Sequence, residues 1–171
     1  MLKFKRVSNS NGLWPELLGQ WDKQCSQFEE NFEDYASGTV SILRPLAEQA
    51  QTPSSGVYAV CNDSEYLGIC QLNVTFIKGY PAQVLRVRHI LFSPKFDYDD
   101  SLDIEDYADM LTSVFVGVLN SSDGEMAAPD IKFHFRSPAE LQFFDKFKAA
   151  LGEAKIFKEV AMKGSWLYIK K

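Results

Sequence analysis

Residues 82–94 read Ala82-Gln-Val-Leu-Arg-Val-Arg-His-Ile-Leu-Phe-Ser-Pro94, an apolar, β-branched run that Ser93-Pro94 brings to a stop. Period-2 alternation puts Arg86 and Arg88 on one face and Leu85, Val87 and His89 on the other. Two similar runs precede it, Val57 to Cys61 and Tyr66 to Ile77. The links Asn62-Asp-Ser-Glu65 and Lys78-Gly-Tyr-Pro81 are of turn length and composition, so the three runs predict an antiparallel meander. Downstream, Asp103 to Leu119 carries Ile104, Tyr107, Leu111, Val114, Phe115 and Val118 at helical spacing, with Ser101 or Asp103 as its cap. Ile131-Lys-Phe-His-Phe135 then alternates as a strand. A strand–helix–strand passage implies a right-handed parallel crossover, so the strands around 84–92 and 131–135 should be parallel neighbours that splay at their C-terminal ends.

Working outward, Leu2 to Val7 reads as a strand and Ser8 to Gly12 as a turn. Leu17, Leu18, Trp21, Cys25, Phe28 and Phe32 mark an amphipathic helix from Trp14 to about Phe32, with Pro15 acceptable in its first turn. Gly38 breaks that pattern, Thr39 to Gln49 forms a second helix containing Pro45, and Gln51 to Gly56 is a loop. Asn120 to Pro129 is a polar loop. Ser137-Pro138 starts a helix that runs to about Leu151, where Gly152 closes it. Phe157 to Met162 and Trp166 to Ile169 are strands around the Lys163-Gly-Ser165 turn. The order β-α-α-β-β-β-α-β-α-β-β makes residues 1–171 one α+β domain (α/β in looser usage), a mixed, mostly antiparallel sheet with helices on both faces.

Composition narrows the function classes. The 171 residues are 46% apolar and 24% charged, as expected of a soluble globular domain. A net charge of −5 argues against nucleic acid as the main partner, which would want a concentrated basic surface. No apolar run reaches a membrane span, and Met1-Leu-Lys-Phe-Lys-Arg6 leads into polar residues rather than the apolar segment of a signal peptide. Cys25, Cys61 and Cys70 are odd in number with no CxxC spacing, and Cys61 and Cys70 lie in apolar runs as small buried hydrophobes would. The expectation is reduced thiols in the cytoplasm. His89 and His134 are the only histidines, too few for a zinc site. The acidic run from Asp97 to Asp109 fails as a calcium loop, because a loop starting at Asp97 puts Leu102 where glycine is required and Ala108 where glutamate belongs. No metal is expected. The run reads as a solvated helix start, a partner-binding acidic patch or a metal site, in that order.

The element order resembles that of the GNAT superfamily of N-acetyltransferases over almost the whole chain. Ile90-Leu-Phe-Ser-Pro94 is similar to the family's strand ending in Val-x-Pro, and Ser137-Pro-Ala-Glu-Leu-Gln-Phe-Phe-Asp-Lys146 resembles its Asn-x-x-Ala-x-x-x-Tyr-Glu-Lys helix. The resemblance implies transfer of an acyl group, acetyl in the simplest case, from acetyl-CoA or a related thioester to an amine on a small molecule or protein. It also implies a backbone N–H near Leu91 or Phe92 to polarise the thioester, with His89 as the base. Lys95, Phe96, Arg136 and Ser137 would meet the coenzyme, and Glu33, Asp34 and Tyr35 would border the acceptor and draw a cationic amine. A monomer or homodimer without membrane contact fits this reading.

Two features depart from the pattern. Between Lys95 and Asp106 there is no glycine where the family's Arg/Gln-x-x-Gly-x-Gly/Ala turn holds the pyrophosphate, and Asp97, Asp99 and Asp100 stand there instead. Phe144 stands at the position of the family's tyrosine acid. Coenzyme A is therefore expected to bind weakly or not at all. The alternatives are a GNAT-fold protein without catalysis that binds a protein or small ligand, and an unrelated α+β binding module.

Overall fold

The computed structural model describes residues 2–49 and 52–171. Met1 and Gln51, which begin the chain and the expected 51–56 loop, lie outside the described residues. Strand β1 (Lys3–Val7) is followed by helices α1 (Leu13–Gln27) and α2 (Ser37–Glu48), the meander β2 (Ser55–Cys61), β3 (Tyr66–Phe76) and β4 (Gln83–Phe92), a short α3 (Lys95–Tyr98), α4 (Ile104–Asp123), β5 (Asp130–His134), α5 (Pro138–Ala154), β6 (Glu159–Lys163) and β7 (Trp166–Lys170). The described residues build a seven-stranded sheet ordered β1-β2-β3-β4-β5-β7-β6. All its pairs are antiparallel except β4 with β5, which run parallel from Val84↔Asp130 to Val87↔Phe133. That is the adjacency the crossover argument requires.

Alternation sorts the sheet's two faces. On one, Leu85, Val87, Ile131, Phe133, Leu167 and Ile169 pack against α4 and α5. On the other, Val57, Ala59, Cys61 and Ile69 pack against Trp14, Leu17, Trp21 and Cys25 of α1 and Leu43 and Ala47 of α2. The three cysteines are free thiols, at most 2% exposed, and burial raises the Cys70 thiol well above its ordinary range. No described helix is long and apolar enough to cross a membrane.

Several boundaries differ from the sequence reading, each for a local reason. Helix α1 stops at Gln27 rather than Phe32, because Phe28 caps it and Glu29 turns left-handed (φ 58°). Helix α4 runs on to Asp123 through residues read as loop. Helix α5 passes Gly152, whose φ is not left-handed, and ends at Lys155, whose φ of 51° is. The short α3 was read as coil, since four residues are too few to show a period.

The difference that matters most is in β4. The register slips between Ile69↔Leu91 and Gln71↔Arg88, leaving His89 as an extra residue with φ 53°. A bulge of this kind reverses the strand's alternation. Leu85 and Val87 face the α4 side before it, whereas Ile90 and Phe92 face that side after it. His89 therefore does not share a face with Val87 as simple alternation predicts.

Candidate functional site

The β4–β5 ladder ends at Val87↔Phe133, but β4 continues to Phe92 while β5 ends at His134, so the two strands part. A cleft of about 690 Å³ opens there, walled by Ile90, Leu91 and Phe92 of β4, Tyr35 and Thr39, Asp97, the Ile104–Leu111 stretch of α4, and Arg136, Ser137, Glu140 and Phe143 at the start of α5. A groove of about 820 Å³ between β1 and α4 is larger. Two of its charges are engaged: Arg6 donates to the Thr52 and Ser55 carbonyls, and Glu125 accepts from the Tyr58 hydroxyl. The β4–β5 cleft is the one that brings unspent polar groups together.

Backbone register decides which amide serves it. Ser93 N–H donates to Leu67 C=O (2.9 Å), and Leu91 stands opposite Ile69 two residues earlier. In an antiparallel ladder the residue between them, Phe92, turns both its N–H and C=O away from β3. Tyr35 agrees, since its hydroxyl donates to Phe92 C=O at 2.8 Å from the cleft side. Of the two amides expected to polarise a carbonyl, Phe92 therefore faces the opening and Leu91 faces β3.

The side chains expected at the site divide. Tyr35 lines the cleft, 5% exposed, its phenol pushed up by burial. Glu33 borders a separate small hollow with Ser37 and Arg44, and the Asp34 carboxylate accepts from the Asn31 amide. Neither acid lines the cleft. Lys95 turns away to pair with Glu65 at 2.5 Å, and Phe96 is packed between Phe92 and Tyr107 rather than facing a ligand. Arg136 and Ser137 do line the cleft. Ser137 caps α5 in a reciprocal pair, its hydroxyl accepting from Glu140 N–H and the Glu140 carboxylate accepting from Arg136 and Ser137 N–H.

His89 is nearly buried, and its imidazole pKa is lowered by burial first and then by Arg88, Arg136 and His134. The Arg136 guanidinium, which can only donate, points Nη1 at His89 Nδ1 (3.4 Å), so the neutral ring carries its proton on Nε2. A proton arriving on Nδ1 would face two arginines. That makes His89 a poor base.

Three residues that the sequence did not mark as site residues line the cleft. Asp97 lines the cleft beside Tyr35 and stays open to solvent, its carboxyl raised by partial burial with some offset from the Tyr35 hydroxyl. Tyr107, read as core, lines the cleft with its hydroxyl on Phe96 C=O. Phe143 faces the cleft, while Phe144, matched to the family's tyrosine acid, is fully buried. A helix turns about 100° per residue, so neighbouring phenylalanines cannot share one wall. No local pattern distinguishes the two in the sequence.

The N-terminus of α4, which opens beside the cleft at Ile104, is already occupied. Asp103 accepts from the N–H of Glu105 (2.8 Å) and Asp106 (3.2 Å), and Asp106 returns the bond to Asp103 N–H. A carboxylate of the chain itself thus sits where a helix start would hold an external anion.

No family model matches the sequence, and no curated protein sequence matches it. Solved structures do match. An N-acetyltransferase from Staphylococcus aureus Mu50 is 12% identical, with 99% of this chain and 97% of that one covered and a TM-score of 0.55. A probable acetyltransferase from Staphylococcus epidermidis ATCC 12228 is 11% identical, covering 100% and 99%, with a TM-score of 0.51. A transcriptional regulator from Bacillus halodurans C-125 is 9% identical, covering 95% and 99%, with a TM-score of 0.52. At such identities the likeness concerns the fold. The chain has the α+β GNAT fold, with its mixed sheet and parallel β4–β5 pair.

Proposed function

We propose that the protein is an N-acyltransferase that takes an acyl group from a coenzyme A-type thioester in the β4–β5 cleft and passes it to an amine. The observation that carries this reading is the Phe92 amide, turned into the opening beyond Val87↔Phe133 with no strand to pair it. An N–H aimed at a thioester oxygen stabilises the tetrahedral intermediate as negative charge develops there. Asp97 is the base in this scheme. It lies within reach of the Tyr35 hydroxyl, which itself touches Phe92 C=O, so the carboxylate stands near the reacting carbon. A raised carboxyl takes the proton that the amine nitrogen sheds as its lone pair bonds the thioester carbon more readily than an ordinary one. The departing thiolate takes its proton from solvent at the open cleft, because the Tyr35 and Tyr107 hydroxyls already donate to Phe92 and Phe96 C=O. The experiment is release of free thiol from an acyl thioester in the presence of an amine, with cleft variants as controls.

A second reading, a non-catalytic binding module, is favoured by the self-capped start of α4. The same feature bears on the donor. Where pyrophosphate takes two charge-assisted hydrogen bonds, at ~1.5–3 kcal/mol each, coenzyme A outbinds bare pantetheine by ~100-fold or more. Here Asp103 holds those amides and adds repulsion, so coenzyme A and pantetheine should bind within about threefold of each other (~0.7 kcal/mol). Calorimetry with both ligands at low and high salt checks this. A large advantage for coenzyme A would show that pyrophosphate displaces Asp103.

A further inference from the structure

Helices α1 and α2 cover their face of the sheet only from β1 to β3, with Leu91 of β4 against them. Among the described residues, none of β5, β6 or β7 joins that helical cluster. The register fixes what the face presents there: Arg86 lies level with Lys132, Arg88 comes next to His134, and Lys132 and His134 stand opposite Tyr168 and Trp166. Arg136 follows on the same alternation and reaches the inner end of the cleft, where its guanidinium meets Thr39 Oγ1 and His89 Nδ1, both at 3.4 Å.

These cations are not balanced. Among the described residues, neither Arg88 nor Arg136 has an ion-pair partner, and Arg88 Nε is buried without any hydrogen bond. The Lys132 ammonium rests on the Trp166 and Tyr168 rings, 4.7 and 4.6 Å from their centroids, rather than on a carboxylate. Arg88 and Arg136 both act to keep His134 and His89 neutral. The acids on this face, Asp130 and Glu159, stand at its other end with Lys163 and Lys170, away from Arg88 and Arg136. In a chain of net charge −5, this concentration of free positive charge at the mouth of the cleft is a local feature that needs an anion.

We propose that the acceptor is an amine that also carries an oxyanion, carboxylate or phosphate, with Arg88 and Arg136 as its binding residues. This rests on the N-acyltransferase reading and reverses the sequence expectation of a cationic acceptor, whose acids Glu33 and Asp34 stand outside the cleft. The guanidinium forks suit a bidentate oxyanion. Anchored there, the acceptor reaches past Thr39 and His89 toward Phe92.

The test is binding, independent of turnover. Calorimetric titrations of the intact protein use β-alanine, O-phosphoethanolamine and putrescine as probes. At least one anionic amine is expected to bind about tenfold tighter than putrescine, and which of the two wins tells carboxylate from phosphate. Arg136→Gln and Arg88→Gln should each weaken that binding about tenfold or more, Arg88→Lys less so, with pantetheine affinity unchanged in the two Arg88 variants, whose side chain does not line the cleft. Putrescine binding best, or anion binding indifferent to both glutamine variants, would overturn the proposal. Anion binding without any acyl transfer would keep Arg88 and Arg136 as an oxyanion site and overturn both the transferase reading and the acceptor role built on it.

Discussion

Phe144→Ala should destabilise the protein by about 3–5 kcal/mol, the cost of emptying a closed aromatic site. Phe144 is fully buried, stacked on Phe135 at a centroid distance of 4.3 Å and tilted against Phe133 at 5.6 Å. Phe143 and Phe147 meet it edge to face. Deleting the ring forfeits its burial and leaves a void that four other rings cannot close without leaving their own contacts. Because Phe133 anchors β5 beside Val87, the loss also loosens the strand pair that frames the cleft. Denaturant unfolding of the two proteins measures it. A cost under about 1 kcal/mol would place Phe144 at a surface, as a ligand-facing residue would be. Phe144→Tyr should likewise destabilise, since its hydroxyl would enter an apolar interior, and it should not raise activity.

The second large effect concerns chemistry. Asp97→Asn should lower kcat by about 10²–10⁴-fold with little change in KM, because the amide keeps the shape of the carboxyl and loses only its ability to take a proton. The pH–rate profile should change with it. Burial raises the Asp97 carboxyl, so in the native enzyme activity should fall as pH drops through a range above that of an ordinary carboxyl. In the variant that acid limb should be gone. His89→Gln should retain the limb, since the depressed imidazole is held neutral by its arginine neighbours rather than poised to accept a proton. An Asp97→Asn enzyme with near-native kcat, alongside a dead His89→Gln enzyme, would return the base to the imidazole.

The parts of the fold that the sequence made legible are those with long periods and clear punctuation. The meander, the Asp103 cap, the Ser137-Pro138 start and the parallel β4–β5 pair all follow from alternation, turn residues and crossover geometry. The cleft was legible only as a place. Its contents depend on a one-residue slip at His89, and nothing in Val87-Arg-His-Ile90 announces which residue will take φ 53°. That slip sends Phe92 toward α4. Lys95, a natural phosphate ligand by sequence, is claimed by Glu65 thirty residues away, a long-range pairing that no local pattern encodes. Tyr107 satisfies the helical stripe equally well as core or as wall, and only the parting of β4 from β5 exposes it.

The most direct test of the central claim is thiol release from S-acetyl-pantetheine and acetyl-CoA, followed continuously with a panel of primary amines at millimolar concentrations. Ala108, which lines the cleft from α4, serves as the control, because Ala108→Trp fills the donor channel from a partly exposed position. Amine-dependent release from both thioesters at comparable rates is expected, with acylated amine formed in equal amount, and both should be lost in Ala108→Trp while the fold is kept. Release that needs no amine, or that survives Ala108→Trp unchanged, would contradict acyl transfer in this cleft.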